Sequence, residues 1–145
     1  MSLDGTYDDD NIFAKILRGD APCVKVFEDE HVLAFMDIFP QSSGHFLVLP
    51  KAASRNLLEL DDDALQATIV RVKRLANAAK SALEPDGIIV TQFNGAPAGQ
   101  TVFHTHFHII PRWDGQSMGR HGGGQADMDE LKAQAETIAR ALKTP

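Results

Sequence analysis

His104, His106 and His108 stand at every second position of the stretch Gly99–Ile110, GQTVFHTHFHII. Imidazole changes charge near neutral pH and serves as nucleophile, proton carrier or metal ligand. On a strand, alternate side chains share a face. The three imidazoles would then face one way, and Thr105, Phe107 and Ile109 the other, which suits a buried surface. A helix, turning about 100° per residue, would point His106 away from the other two. Three readings of such a face compete. The histidines are incidental polar residues on a solvent face, or an open zinc site of three imidazoles and water, or a nucleophile with two neighbours that position it and handle protons.

The residues just upstream, FNGAPAGQT, bring Asn94, Gly95, Gly99, Gln100 and Thr101 to the start of that strand. Backbone N–H groups, amides and a hydroxyl in such a loop can surround phosphate oxygens. A zinc site would instead call for a carboxylate or carbonyl behind each ligand imidazole. Asp114 is the first carboxylate after the strand. The loop therefore favours phosphate chemistry over a metal.

The rest of the chain must hold this strand. DDDNIFAKILRGD reads as a short helix capped by Asp10 or Asn11 and stopped at Gly19. CVKVFED and HVLAFMDI read as two strands around a turn at residues 28–30, and GHFLVLP as a third, ended by Pro50. SRNLLEL is compatible with a helical turn. From Asp61 to about Leu83, apolar residues at Leu65, Ile69, Val72, Ala76, Ala79 and Leu83 form one helical stripe. IIVTQFN and TVFHTHFHIIP complete a set of five strands. A last helix begins at the capping pair Asp127 and Glu130, with Leu131, Ala135, Ile138 and Leu142 on its buried side. The fold class is α+β: an antiparallel sheet of about five strands with one long helix against it and short terminal helices.

A chain of 145 residues suits one domain whose core buries roughly two thirds of the unfolded surface. Residues 1–10 form an acidic leader, read as mobile, and 11–145 the domain. No apolar run approaches the roughly 20 residues of a membrane-spanning helix. The start lacks a basic segment followed by an apolar one, so no secretory signal is read there. A single cysteine, Cys23, excludes a disulfide within the chain and fits a reducing, cytoplasmic setting. The net charge of −6 argues against broad nucleic-acid binding, whereas a local cluster of N–H donors can still hold a small phosphate ligand.

Read in order, NIFAKILRGDAP, FEDEHVLAFMDIFPQSSGHFLVLPK and GQTVFHTHFHIIPR resemble the histidine triad (HIT) family of nucleotide hydrolases and transferases, and above all its purine-nucleotide-binding, Hint-like branch. The family signature is His-x-His-x-His followed by two apolar residues, here His104 to Ile110. The resemblance covers nearly the whole domain; from about residue 113 the chain, with Trp113 and GRHGGG, falls outside it, and His121 reads as a surface residue. The resemblance implies hydrolysis of purine nucleoside phosphoramidates, acyl-adenylates or dinucleoside polyphosphates through a nucleotidyl-histidine. It makes His106 the nucleophile and has His108 contact the phosphate and assist the leaving group. His104 organises His106, and His45 backs the triad. It brings Asn94, Gly99, Gln100 and Thr101 to phosphate or ribose, and Asp37 to the ribose hydroxyls. Ile12, Phe13, Ile16, Phe35, Ile38 and Leu47 line the purine pocket. It also implies a homodimer and no cofactor. Relatives with a structural zinc carry Cys-x-x-Cys where this chain has NIFAKI, so no metal is expected. A zinc hydrolase and a nucleotide-binding module with incidental turnover stand as alternatives.

Overall fold

A computed structural model describes residues 2–119 and 124–143. His121 lies outside the described residues. Helix α1, Ile12–Leu17, is capped by Asn11, whose side-chain oxygen accepts the Ala14 N–H at 2.9 Å. Strands β1 (Lys25–Glu28), β2 (Val32–Met36) and β3 (Phe46–Pro50) follow. A 3-10 turn at Leu57–Glu59 leads into α2, Asp62–Leu83, where the Asp61 carboxylate accepts from the Asp63 and Ala64 N–H groups. Then come β4 (Gly87–Thr91), β5 (Phe107–Arg112) and α3, Met128–Leu142, capped by Asp127.

The strands form one antiparallel sheet in the order β1-β2-β3-β5-β4. Helices α2 and α3 cover one face. Their Val72, Leu75, Leu131 and Ile138 pack with Val26, Ala34, Phe46, Val48, Phe107 and Ile109 of the strands. The alternate strand residues Leu33, Phe35, Leu47 and Leu49 point to the opposite face and pack under Phe13 of α1. His108 pairs with Leu47 on one side and Thr91 on the other. It therefore belongs to this second face, near the middle of the sheet.

Two sequence readings need correction. The fifth strand was expected to start near Thr101, but it starts at Phe107. Its pairing with β3 ends at Val48↔Phe107, because Pro50 has no N–H to extend the ladder and its carbonyl faces the His104 ring instead. The apolar stripe of α2 is also turned: Thr68, Val72, Leu75, Ala78 and Ala79 are buried, whereas Ile69 is 44% exposed. The helix carries two adjoining apolar rows, and periodicity alone does not say which of them meets the helix's own sheet. The outer row runs beside the exposed Val90 of β4, the edge strand.

The acidic leader makes specific contacts. Arg55 donates to the Ser2 carbonyl at 2.9 Å, Asn56 to the Leu3 carbonyl at 3.0 Å, and the Ala96 N–H to the Ser2 hydroxyl at 3.0 Å. Among the described residues no helix is long and apolar enough to cross a membrane.

Candidate active site

A cavity of about 430 Å³ opens on the second face of the sheet. Its walls include all six apolar residues expected of a purine pocket: Ile12, Phe13, Ile16, Phe35, Ile38 and Leu47. Asp37, Thr101, His106 and His108 line it as well. The remaining wall includes Pro22, Cys23 and Phe39, which the sequence reading did not single out for the pocket.

The histidines divide into two sets. The rings of His106 and His108 lie 5.0 Å apart, and Phe13 meets His106 edge-on at 4.8 Å. His104 shares the alternation, yet its ring is not in the cavity wall. It is fully buried between the Pro50 carbonyl, 2.8 Å from Nε2, and the Tyr7 hydroxyl, 2.6 Å from Nδ1. The single face of three imidazoles predicted from alternation thus holds for two of them.

The hydrogen-bond partners fix the tautomers. A carbonyl only accepts, so His106, with Nδ1 2.7 Å from the His104 oxygen, carries its proton on Nδ1 and its lone pair on Nε2. By the same rule His104 carries its proton on Nε2 and accepts from the Tyr7 O–H at Nδ1. The Gln41 N–H donates to His45 Nδ1 at 3.1 Å, which places the His45 proton on Nε2. That Nε2–H reaches His108 Nδ1 at 3.0 Å, so His108 carries its own proton on Nε2. Asp37 lies 3.5 Å from His45 through one carboxylate oxygen, while the other accepts the Phe39 N–H at 2.8 Å.

The loop before the motif behaves differently from the reading of its residue types. Gln100 is buried: its oxygen accepts the Gly95 N–H at 2.8 Å and its amide donates to the Arg55 and Val102 carbonyls. The Asn94 oxygen accepts from the Leu57 N–H and from the Gln92 amide. Both side chains are occupied in shaping the loop, and neither lines the cavity. Gly95 and Gly99 turn the loop with φ of +88° and +109°, values that side chains strain to adopt. Gly99 sits outside the cavity wall, and Thr101 alone of the phosphate-loop candidates reaches it. Ser54, not flagged by any motif, anchors the segment through its hydroxyl, 2.6 Å from that of Thr105, and its carbonyl, 3.0 Å from the Thr105 N–H.

The donor set does not suit a catalytic metal. The motif histidines do not converge on a point. The one buried group of possible ligand atoms among the described residues is Asp37, His45 and His108, within 4.8 Å of one another. A metal at His45 Nε2 would require the ring proton on Nδ1, directly facing the Gln41 N–H. The Gln41 N–H behind the His45 ring keeps the proton on Nε2, so this cluster has the form of a hydrogen-bond relay.

Residues 18–115 match the HIT domain model. The chain belongs to the HIT family. The crystal structure of a HIT-like protein from Bartonella henselae superposes with a TM-score of 0.90 at 47% identity, covering 94% of this chain and 99% of that one. The adenosine 5'-monophosphoramidase hnt1 of Schizosaccharomyces pombe is 39% identical over 135 residues, 91% of this chain and 98% of its own length. The adenylylsulfatase HINT3 of Arabidopsis thaliana is 39% identical over 122 residues, 80% of this chain and 62% of its own length. In this HIT domain the three-layer order of helices, sheet and cavity agrees with the α+β architecture expected from the sequence.

Burial holds the His104 imidazole below its usual pKa, against a smaller opposite effect of the Pro50 carbonyl. The unfolded chain therefore takes up a proton here at higher pH than the folded one. His104 contributes stability above its unfolded pKa and loses it as the pH falls from there through the lowered folded value. We expect the unfolding free energy to drop below about pH 6.5 with a slope of up to about 1.4 kcal/mol per pH unit from this residue. Urea titrations of wild type and His104→Gln between pH 7.5 and 5 test it: the variant should show a flatter profile, and an unchanged slope would refute the assignment.

Proposed function

We propose that this HIT protein hydrolyses purine nucleotide conjugates through a nucleotidyl-His106 intermediate, with phosphoramidates and acyl-adenylates preferred over dinucleoside polyphosphates. The observation that carries the reading is the bond from His106 Nδ1–H to the His104 carbonyl, which leaves a lone pair on Nε2 in the wall of an apolar cavity beside His108. The phosphoramidase and adenylylsulfatase relatives support a nucleotide substrate.

In the first step His106 Nε2 attacks the α-phosphorus. A P–N bond to His106 forms, the bond to the leaving atom breaks, and that atom takes a proton from His108, which enters the step as an imidazolium and leaves it as a neutral ring. His106 thereby takes up the positive charge that the ring 5.0 Å away gives up. The His104 carbonyl stabilises the cation. In the second step water attacks phosphorus, its proton returns to His108, and the P–N electron pair returns to His106. Asp37, with its carboxylate in the cavity wall, receives the ribose hydroxyls, and the apolar wall takes the purine.

Electrostatics separates the candidate substrates. Among the described residues no lysine or arginine lines the cavity, and Asp37 is its one carboxylate. The whole chain carries −6. A single anionic phosphate can be held by N–H donors, whereas each further phosphate adds a charge with no cation to meet it. The outer apolar row of α2, with Val90 of the edge strand β4 beside it, supports a homodimer formed there: Ile69, Val70 and Val90 are between 44% and 46% exposed. Pairing across it would extend the sheet and cover the row.

Three outcomes follow from these features. His106→Asn should lose at least about 10³-fold in kcat while nucleotide Kd changes little, since most of the pocket wall is made by other residues. Mass spectrometry of the quenched wild-type reaction should find a nucleotidyl adduct on His106; an Asn variant that kept its rate would sink the nucleophile assignment. Adenosine 5'-phosphoramidate should exceed diadenosine polyphosphates by about 10²-fold in kcat/KM. Equal values would reject the charge argument, and negligible turnover of every conjugate with nucleotide binding intact would favour a binding module. Sedimentation should give about twice the 15.8 kDa chain mass, and Ile69→Asp with Val90→Asp should return it to one chain. A monomeric wild type at micromolar concentration would contradict the shared edge.

A further inference from the structure

We infer that Tyr7, in the acidic leader, is a positioning residue for His106 and acts through His104. The inference rests on His106 as the reacting imidazole, but its geometry can be tested without turnover.

The route is short. The Tyr7 hydroxyl lies 2.6 Å from His104 Nδ1, and the two rings meet edge-on with centroids 5.7 Å apart. The Pro50 carbonyl holds the opposite nitrogen, so the lone pair of His104 faces the phenol and Tyr7 must donate. The backbone carbonyl of the same residue accepts the proton of His106 Nδ1 at 2.7 Å. The Tyr7 and Pro50 contacts tether residue 104 through its ring, and a shift of its backbone on losing that tether would change both the tautomer and the aim of His106. No other element described here holds that edge of His104.

The leader is placed for this task. Its Ser2 and Leu3 carbonyls are gripped by Arg55 and Asn56, and its Ser2 hydroxyl by the Ala96 N–H of the glycine loop. Asn11, the cap of α1, lies near the phenol and acts against the effect of burial on it. The next residue but one along α1 is Phe13, packed edge-on against the His106 ring. Tyr7 thus joins the leader, the cap of α1 and the segment that carries the nucleophile.

The charged groups facing the phenol are Asp8 and Asp9 beside it and Arg18 from the end of α1, with the His104 ring opposite. Burial, the largest influence, holds the phenol above its usual pKa, so it stays a donor through the neutral range.

Tyr7 is the only tyrosine of the chain, so a biosynthetic fluorotyrosine label enters there alone. Two substitutions test the inference. In Tyr7→Phe we expect kcat to fall about tenfold, the loss of one buried hydrogen bond to an imidazole, with KM within about twofold. Long-range ¹⁵N–¹H spectra should show His106 leaving a pure Nδ1–H tautomer. With a fluorotyrosine of more acidic phenol, which preserves the shape, kcat should gain a falling limb at the lowered phenol pKa, where Tyr7 ceases to donate. An unchanged kcat in folded Tyr7→Phe, an unmoved His106 tautomer, or a fluorotyrosine protein without the new limb would each overturn it. Should Tyr7→Phe not fold, the fluorotyrosine series decides. Activity surviving in His106→Asn would instead fault the nucleophile, while the tautomer spectra would still judge the Tyr7 connection.

Discussion

The backbone carbonyl of His104 is the group on which the site turns. It accepts from His106 Nδ1 at 2.7 Å and so decides which nitrogen of that ring can act. A carbonyl cannot titrate or rotate away from its chain, so the tautomer holds as long as residue 104 is held. Its holders are long-range: Pro50 and Tyr7 on the ring, and Ser54 on the neighbouring Thr105 through both hydroxyl and carbonyl. Each is buried or half-buried, where an unmade polar contact costs about 1–3 kcal/mol. The cost of misplacing residue 104 is therefore spread over several bonds that must break together.

A second chain of bonds serves His108. It begins at the Gln41 N–H, passes through His45 and ends at His108 Nδ1. Gln41 sits in the loop between β2 and β3, which regular structure does not support. The support comes from the C-terminal segment: the Gly119 N–H donates to the Gln41 carbonyl at 2.6 Å, the Ala126 N–H to the Ile38 carbonyl at 2.9 Å, and Gln134 of α3 to the Ser43 hydroxyl at 2.7 Å. The stretch beyond residue 112, which carries no motif, thus contributes to the site by bracing the loop that orients His45 and carries Asp37.

Much of this was legible in the sequence. The five strands and three helices followed from alternation, periodicity and caps, and the six apolar pocket residues all line the cavity. The six came from the resemblance to the HIT family, and the structure adds that alternation puts Phe35 and Leu47 on the face that His108 shares. The start of β5 was not readable, because it depends on Pro50, a residue from a different strand that ends the pairing. The duties of Asn94 and Gln100 were not readable either. An amide looks the same in sequence whether its donors face a ligand or, as here, the Arg55 and Val102 carbonyls. Tyr7 was hidden by its surroundings: a run of aspartates reads as a solvated leader, and the contact with His104 spans 97 positions. For α2 the sequence showed one stripe, and only the sheet's position reveals that Val72, Leu75 and Ala79 face it while Ile69 does not.

The two bond chains differ in what can disturb them. His106, His104 and His45 each have one nitrogen held by a backbone group: the carbonyls of His104 and Pro50, and the N–H of Gln41. His108 is held by another imidazole instead. Its Nδ1 partner can move with the proton, and Asp37 lies 3.5 Å from that partner to respond to the change in charge. A nucleophile benefits from a fixed tautomer, because its lone pair must be aimed before the substrate arrives. A residue that gives and regains a proton in each cycle benefits from a neighbour that can adjust. In the mechanism proposed above, the ring that would attack has a rigid backbone partner, and the ring that would handle the proton has another imidazole. Among the described residues no lysine or arginine lines the cavity, so the proposed mechanism leaves the charge of a reacting phosphate to the imidazole pair and to N–H donors.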